Sequence, residues 1–487
     1  MTGRSPSVWA ICACMLLLSA VPAGAQSGAS GGSSSVPPPV PVQMATQNDY
    51  SGSVPSKLEP GVLQLSLQDA MDRGLKQNLG LLLSGQDVRT ARGQRWQELS
   101  ALLPNLTASS YVDASQVDLA EFGFSFKFPS SAGFSIPSIV GPFAYFDSRA
   151  YLTQSLFDLR AINNERSAAQ MLKSTQYSYK DARDLVILAV GNTYLQVIAD
   201  EARVETAAAQ VKTAQALYDQ ASDQVNAGTS PAIDGLRANV ELKTRQQTLI
   251  QDRNNVAIAK LTFARVVGLA PGQPFDLTDS SIYAPFAGLT VDEALSRAYT
   301  NRSDYQAALA DVRASEYSRK SARDEYLPSL AFSADYGLAG TYDGLNTHGV
   351  MDVRGTLTIP IFQGGKVHGD VLEADARLEQ SRQRLDNLRA QIDQDVRTAL
   401  FNIESAEEQV AVARSNIDLA DETLAQSRDR FAAGVTDTVE VVQSEEAVAS
   451  AHESYIASLY ADNYAKISLA RALGAGEQGV QQFLKGK

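Results

Sequence analysis

Cysteine is nearly absent from this chain of 487 residues, and the two that occur, Cys12 and Cys14, both precede residue 25. A disulfide framework or a cysteine-ligated metal is therefore excluded beyond the leader. Only three histidines are present, His348, His368 and His452, spaced too widely for a zinc set. With no nucleophile–base spacing and no phosphate loop either, the chain offers nothing for catalysis or for a cofactor, and no enzyme is expected. Lys and Arg number 42 against 55 Asp and Glu, a net charge of −13, which argues against nucleic acid as a partner. Past Ala25 there is no run of 18 apolar residues, so no helical membrane span is expected. Proline is missing from residues 158–228 and from everything after Pro360, which leaves room for very long helices.

What is present begins with a leader. Arg4, an apolar stretch from Val8 to Leu18 and the small residues Ala23-Gly24-Ala25 make residues 1–25 a secretory signal peptide. A lipidated Cys14 after Ala13 is the competing assignment, and it would place the cysteine inside the apolar stretch rather than after it. Residues 26–62 form a Gly/Ser/Pro-rich linker, without periodicity, that ends at the first repeat.

Beyond residue 62 the sequence is written twice. Leu67-Gln-Asp-Ala-Met-Asp-Arg matches Val291-Asp-Glu-Ala-Leu-Ser-Arg at an offset of 224, and Leu102-Leu103-Pro104 matches Tyr326-Leu327-Pro328 at the same offset. Ser155-Leu156-Phe157 then meets Pro360-Ile361-Phe362 at 205, and Ala227-Gly228 meets Ala433-Gly434 at 206. The first copy therefore holds an insertion of about 19 residues between Pro104 and Phe157. The repeats span residues 63–288 and 289–476, with 477–487 left as a C-terminal tail.

Each copy carries one helix far longer than the globular norm of ~11–12 residues. Apolar residues recur every seven at Val190, Val197, Val204, Val211, Tyr218 and Val225, and again at Val396, Ile403, Val410, Ile417, Leu424 and Phe431. Such a repeat keeps one seam on a partner helix in a left-handed coiled coil. Ala227-Gly228 and Ala433-Gly434 end these helices, and second helices return to about Gly268 and Gly474. The Trp96 region and the Tyr177–Tyr179 pair are expected in helix core. Taken alone, the helices also suit a periplasmic scaffold or adaptor without a pore.

Between Pro104 and Phe157, and between Pro328 and Phe362, the period changes to two. Leu330, Phe332, Ala334, Tyr336 and Leu338 share one face against Ser329, Ser333 and Asp335. On the return, Val353, Leu357, Ile359 and Ile361 alternate with Asp352, Arg354, Thr356 and Thr358, and Asp147-x-Arg149 repeats Asp352-x-Arg354. Such strands suit a half-solvated sheet or a lipid-facing barrel. Four strands cannot close a barrel, and in lipid two open edges would cost tens of kcal/mol, several per unpaired group. A membrane setting thus requires a barrel shared between subunits.

The doubled order of helix, Leu-Pro, strand hairpin, (Leu/Ile)-Phe, long helix, Ala-Gly and helix, with the Leu-Ala-Arg-Ala-Leu-Gly ending at 469–474, resembles the TolC-like outer membrane efflux protein family over residues 63–476. The resemblance implies a mainly α fold: long helical hairpins in a coiled-coil α-barrel, plus four amphipathic strands per chain in a 12-stranded membrane β-barrel of a homotrimer. It further implies an outer membrane channel in contact with lipid and with a large periplasmic portion. That channel would be the passive exit duct of a tripartite efflux or type I secretion system, docked to a periplasmic adaptor and an inner membrane pump. The turns Ala227-Gly228-Thr229-Ser230 and Ala433-Gly434-Val435-Thr436-Asp437 would contact the adaptor, and Asp234 and Glu440 would line a cation-preferring gate. The same two acids suit plain stabilisation of a helix start, and Asp437 with Glu440 has capping-box spacing. Where some family members carry a gate arginine, this chain has Thr436, and Gln443 stands at a second acidic position. The insertion holds Phe122, Phe124, Phe126, Phe128, Phe134, Phe143 and Phe146 at the surface-exposed hairpin. It is either a strand extended beyond the membrane or a loop packed on its own hairpin.

Overall fold

The computed structural model describes residues 49–123, 137–279, 284–286, 288–341 and 346–485. Residues 1–25, expected as a signal peptide, most of the expected linker, and Phe124, Phe126, Phe128 and Phe134 lie outside the described residues.

The repeat is reproduced element by element. In the first copy, α1 (Leu67–Gln77) and α2 (Leu79–Ser100) lead to strands β2 (Asn105–Asp118) and β3 (Ile139–Phe157), after a short β1 (Leu63–Leu65). Then come α3 (Leu159–Asn226), α4 (Ala232–Val267) and β4 (Phe275–Leu277). The second copy supplies α5 (Val291–Asn301), α6 (Ser303–Asp324), β5 (Ser329–Thr341), β6 (His348–Thr358), α7 (Lys366–Ala432) and α8 (Thr438–Ala472), and α9 (Gly476–Lys485) closes the chain. The two long helices run 68 and 67 residues, about 100 Å each at ~1.5 Å per residue. Gly228 at φ +75° and Gly434 at φ +71° turn the chain at their ends, in the left-handed conformation that a side chain would disfavour.

Burial follows the seven-residue stripe most closely in the second copy, where Val396, Ile403, Val410, Leu424 and Phe431 are buried. In the first copy Val190 and Val197 are buried, but Val204, Val211, Tyr218 and Val225 are only half-buried. The innermost stripe there is Ala207–Ala214–Ala221. The reason is a second neighbour: α3 packs on α8 as well as on α4, and the methyl side of the helix lets them approach. Leu217, Ala238, Leu424, Phe431 and Val441 form one core shared by all four long helices near their turns.

The largest core gathers Met71, Val186, Val190, Tyr194, Phe263 and Ile467. Part of α3 in this region is apolar enough to cross a bilayer by length and composition, with mean hydropathy 1.2 over 18 residues. Half of that window is buried within the chain, as expected of the wall of a core.

Several features differ from the sequence-based expectation. The end of the linker is docked: Val54 N donates to Gln77 O at 2.8 Å, Ser56 N to Gly268 O at 2.9 Å, and Asn78 Nδ2 to Tyr50 O at 2.6 Å. β1 and β4 pair in parallel, Leu63 with Phe275, and tie the start of the first repeat to its end. Residues 477–487, expected as a tail, hold most of α9, whose Val480 and Leu484 enter the largest core. Trp96, expected in helix core, is 61% exposed, because α2 is covered mainly on its α3 side. Tyr179 packs against the largest core, while Tyr177 is half-buried between Lys173 and Lys180.

Candidate functional site

Two regions carry the expected chemistry, the sheet and the helical turns. The sheet has the order β2-β3-β5-β6, antiparallel throughout, so that β2 and β6 are its two edges. Residues directly opposite in such a ladder share a face. Tyr111 pairs with Asp147, Ser109 with Arg149, Tyr151 with Asp335, and Asp335 with Asp352. These residues and Arg354 therefore line one polar face. On the other face Leu106 pairs with Leu152, Leu330 with Leu357, and Ala334 with Val353. Leu106, Val112, Tyr336, Met351, Val353 and Leu357 are all exposed, so this apolar side is bare in the single chain.

The polar face is organised by Arg149. Its Nε donates to Asp147 Oδ1 at 2.9 Å, and its Nη1 to Asp335 Oδ1 at 3.1 Å, which links the two repeats across β3 and β5. The expected alternation stops earlier than the sequence suggests: β6 ends at Thr358, and Ile361 and Phe362 lie exposed in the connection to α7. Part of the insertion is strand, since β3 begins at Ile139 and includes Phe143 and Phe146, with Phe146 opposite Val112. Phe122 lies exposed in the turn after β2.

At the first helical turn, Thr229 N and Ser230 N both donate to Gln224 O, and Pro231 is the N-cap of α4. Ser230 Oγ donates to Asp234 Oδ2 at 2.8 Å, and Arg237 Nη1 lies 3.5 Å from Asp234 Oδ1. Asp234 is buried in the single chain at 6% exposure. At the second turn, Asp437 caps α8 by accepting from Val439 N and Glu440 N. The Thr436 hydroxyl donates to Glu440, and Arg430 Nη1 sits 3.0 Å from the other Glu440 oxygen.

The two turns therefore share one design. A hydroxyl two residues past the turn glycine holds the acid four residues further on, and an arginine takes its other oxygen. Asp234 and Glu440 are where the repeat predicts, each engaged within its own chain, with Glu440 the more exposed. Thr436 thus occupies its position as the donor to Glu440. Residue spacing alone did not single out Arg237 and Arg430, although Ser230 and Thr436 stand at equivalent repeat positions. Val435, Ile233, Leu236 and Val240 leave apolar surface exposed around the turns.

Above the turns lies a polar cavity of about 420 Å³, lined among others by Thr206, Gln210, Asp421 and His452. Arg428 Nη2 donates to Glu445 Oε1 at 3.0 Å and Arg245 Nε to Glu241 Oε1 at 2.5 Å beside it. Burial pushes the Glu445 carboxyl above its ordinary value, and Arg428 works against that shift. These pairs went unnoticed in the sequence because nothing marks which charges on a heptad turn inward. Among the described residues no group of acids and histidines could hold a metal ion.

The family model described as outer membrane efflux protein matches residues 71–269 and 294–475, once on each repeat. The chain is 23% identical over 354 residues to the outer membrane protein TolC of Escherichia coli, covering 66% of this chain and 68% of that one. It is 24% identical over 407 residues to the alkaline protease secretion protein AprF of Pseudomonas aeruginosa, covering 81% of each. The Campylobacter jejuni CmeC outer membrane channel shares its fold, with a TM-score of 0.71 at 17% identity over 92% of this chain and 95% of that one. On the strength of a match that covers both repeats, the chain belongs to the outer membrane efflux protein family.

Proposed function

We propose that this protein is the outer membrane exit duct of a tripartite efflux or type I secretion system. In this reading residues 1–25 direct export, and the repeats 63–288 and 289–476 each supply two strands and one long helical hairpin. The protein works as a homotrimer and catalyses nothing itself. A periplasmic adaptor meets the turns at 227–230 and 433–437, and an inner membrane pump delivers the solute. Asp234 and Glu440 form the narrow cation-preferring end of the duct.

The observation that carries the reading is the four-stranded sheet with one polar face, one bare apolar face and two open edges. A soluble scaffold would have no use for the apolar face, whereas a shared barrel turns it to lipid and the charged face to water. The alternative of a non-pore periplasmic scaffold leaves that face unexplained. Relatives named for export, such as the protease secretion protein AprF, support the duct.

Ion conductance and reversal potential in planar bilayers test it, on wild type beside Asp234→Ala/Glu440→Ala. The expected wild-type conductance is small and cation-selective, and it grows or loses selectivity in the double variant. A pore indifferent to both substitutions would return the acids to helix stabilisation. Recovery of a soluble periplasmic monomer that inserts into no bilayer would remove the duct.

A further inference from the structure

The two Asp-x-Arg motifs of the strands stand in unequal surroundings. Arg149 is held by Asp147 on its own strand and by Asp335 on the next, and its side chain is 26% exposed. Among the described residues Arg354 reaches only Asp352, at 3.5 Å, and it is 68% exposed, because β6 is an edge of the sheet.

The repeat holds in the strand registers residue for residue. β2 is offset from β5 by 224 and β3 from β6 by 205. Shifted in this way, the pair Asn105–Thr153 becomes Ser329–Thr358, Asp113–Tyr145 becomes Gly337–Val350, and Ser115–Phe143 becomes Ala339–His348. All three are observed pairs. The junction between repeats, β3 with β5, therefore has a defined counterpart between copies, β6 with β2 of the next subunit. Under the same shifts Arg149–Gly337 becomes Arg354–Asp113, and Asp147–Ala339 becomes Asp352–Ser115.

We propose that β6 of each subunit pairs antiparallel with β2 of its neighbour in this register, with Arg354 opposite Asp113 of the partner subunit, and that this ion pair sets the register of the closing seam. The inference rests on the duct reading, since it needs a second copy at the edge. Both residues lie on the polar face, so the register keeps the sheet's two faces intact. A slip of one residue would turn β6 over. A slip of two would set Asp352 against Asp113 in one direction, like charges that repel, and Thr356 against it in the other.

Disulfide trapping reads the register directly, because no cysteine occurs after residue 14. Directly opposite residues sit about 4.5–5.5 Å apart at Cα, within disulfide reach, while diagonal neighbours at about 7–8 Å are not. Asp113→Cys/Arg354→Cys, oxidised in isolated membranes, should give covalent dimers and trimers on a non-reducing gel. Asp113→Cys paired with Asp352→Cys or with Thr356→Cys should link far less. Arg354→Asp alone should lower trimer recovery roughly fivefold, and Asp113→Arg/Arg354→Asp should restore it.

Strongest linkage in a shifted pair, with bilayer conductance intact, overturns the register and leaves the duct standing. Linkage at 113/354 without rescue by the charge exchange removes the ion pair from its proposed role. Monomers from all three cysteine pairs, together with electrical silence of the wild type, overturn the assembly and this seam with it.

Discussion

At the scale of single residues, the charges between the repeats are the most informative. Asp184 on α3 is half-buried near Arg471, Asp181, Arg183 and Asp304, and burial, opposed chiefly by Arg471, pushes its carboxyl up to about 6. The folded chain then holds a proton that the unfolded chain, with an ordinary value of 3.8, releases. Stability contributed by this group falls as pH rises from about 4 to about 6 and stays low above that window. Asp184→Asn removes the ionisation and keeps the shape. Relative to wild type, the variant should match at about pH 4 and be more stable above about pH 6, by of order 1 kcal/mol. Thermal unfolding in detergent at the two pH values measures it, and parallel shifts at both would show that Asp184 is not the titrating group. The sequence could not have pointed here, because burial of this acid depends on α3, α8 and the start of α9 converging on it. The turn residues were more legible. Asp234 and Glu440 followed from the repeat, while the hydroxyls of Ser230 and Thr436 that hold them needed coordinates.

At the scale of elements, the helix ends separate two roles of glycine. Gly474, at φ +65°, follows α8, and a Cβ there would lie 2.7 Å from the backbone nitrogen of Arg302 and 2.8 Å from its Cα. Gly434 has a similar φ of +71° but open space around it. Gly474→Ala should therefore carry backbone strain and a clash with a neighbouring main chain, and destabilise by about 2–4 kcal/mol. Gly434→Ala carries only the strain of the left-handed conformation, about 1–2 kcal/mol. Unfolding temperatures of the two variants check the order, and equal losses would mean the chain at Arg302 yields freely. Most elements were readable because periods of seven and two, proline gaps and turn glycines act locally. β1 and β4 were not, since three residues are too few to show a period. The docking of residues 49–62 rests on scattered main-chain and side-chain hydrogen bonds, such as Val54 N to Gln77 O and Asn78 Nδ2 to Tyr50 O, that follow no period. For α9 the signal was there, in Val480, Phe483 and Leu484 at helical spacing.

At the scale of the whole molecule, the repeat also predicts which exposed apolar residues a neighbour must cover. Within the chain α6 packs on α3 as well as on α7, and it buries Ala307, Ala310 and Ala314. In the first copy α2 packs on α3, the counterpart of α6 on α7, but among the described residues it shows no comparable counterpart of α6 on α3. The repeat predicts that this contact is made with α7 of a second copy. Shifting α6 by 224 places Ala307 on Leu83, which is 53% exposed in the single chain. The same shift places Lys320, itself exposed although α6 is packed, on Trp96. Two residues that look alike as bare apolar surface should then behave differently. Leu83→Asp puts a charge into a contact between copies, where an unpaired buried carboxylate costs several kcal/mol, and assembly should fail. Trp96→Lys writes the residue of the second repeat into the first and should leave the oligomer intact. Native mass measurements in detergent decide between them. Loss of the oligomer in the Trp96 variant, or its survival in the Leu83 variant, would mean that neighbouring copies do not meet as the two repeats do.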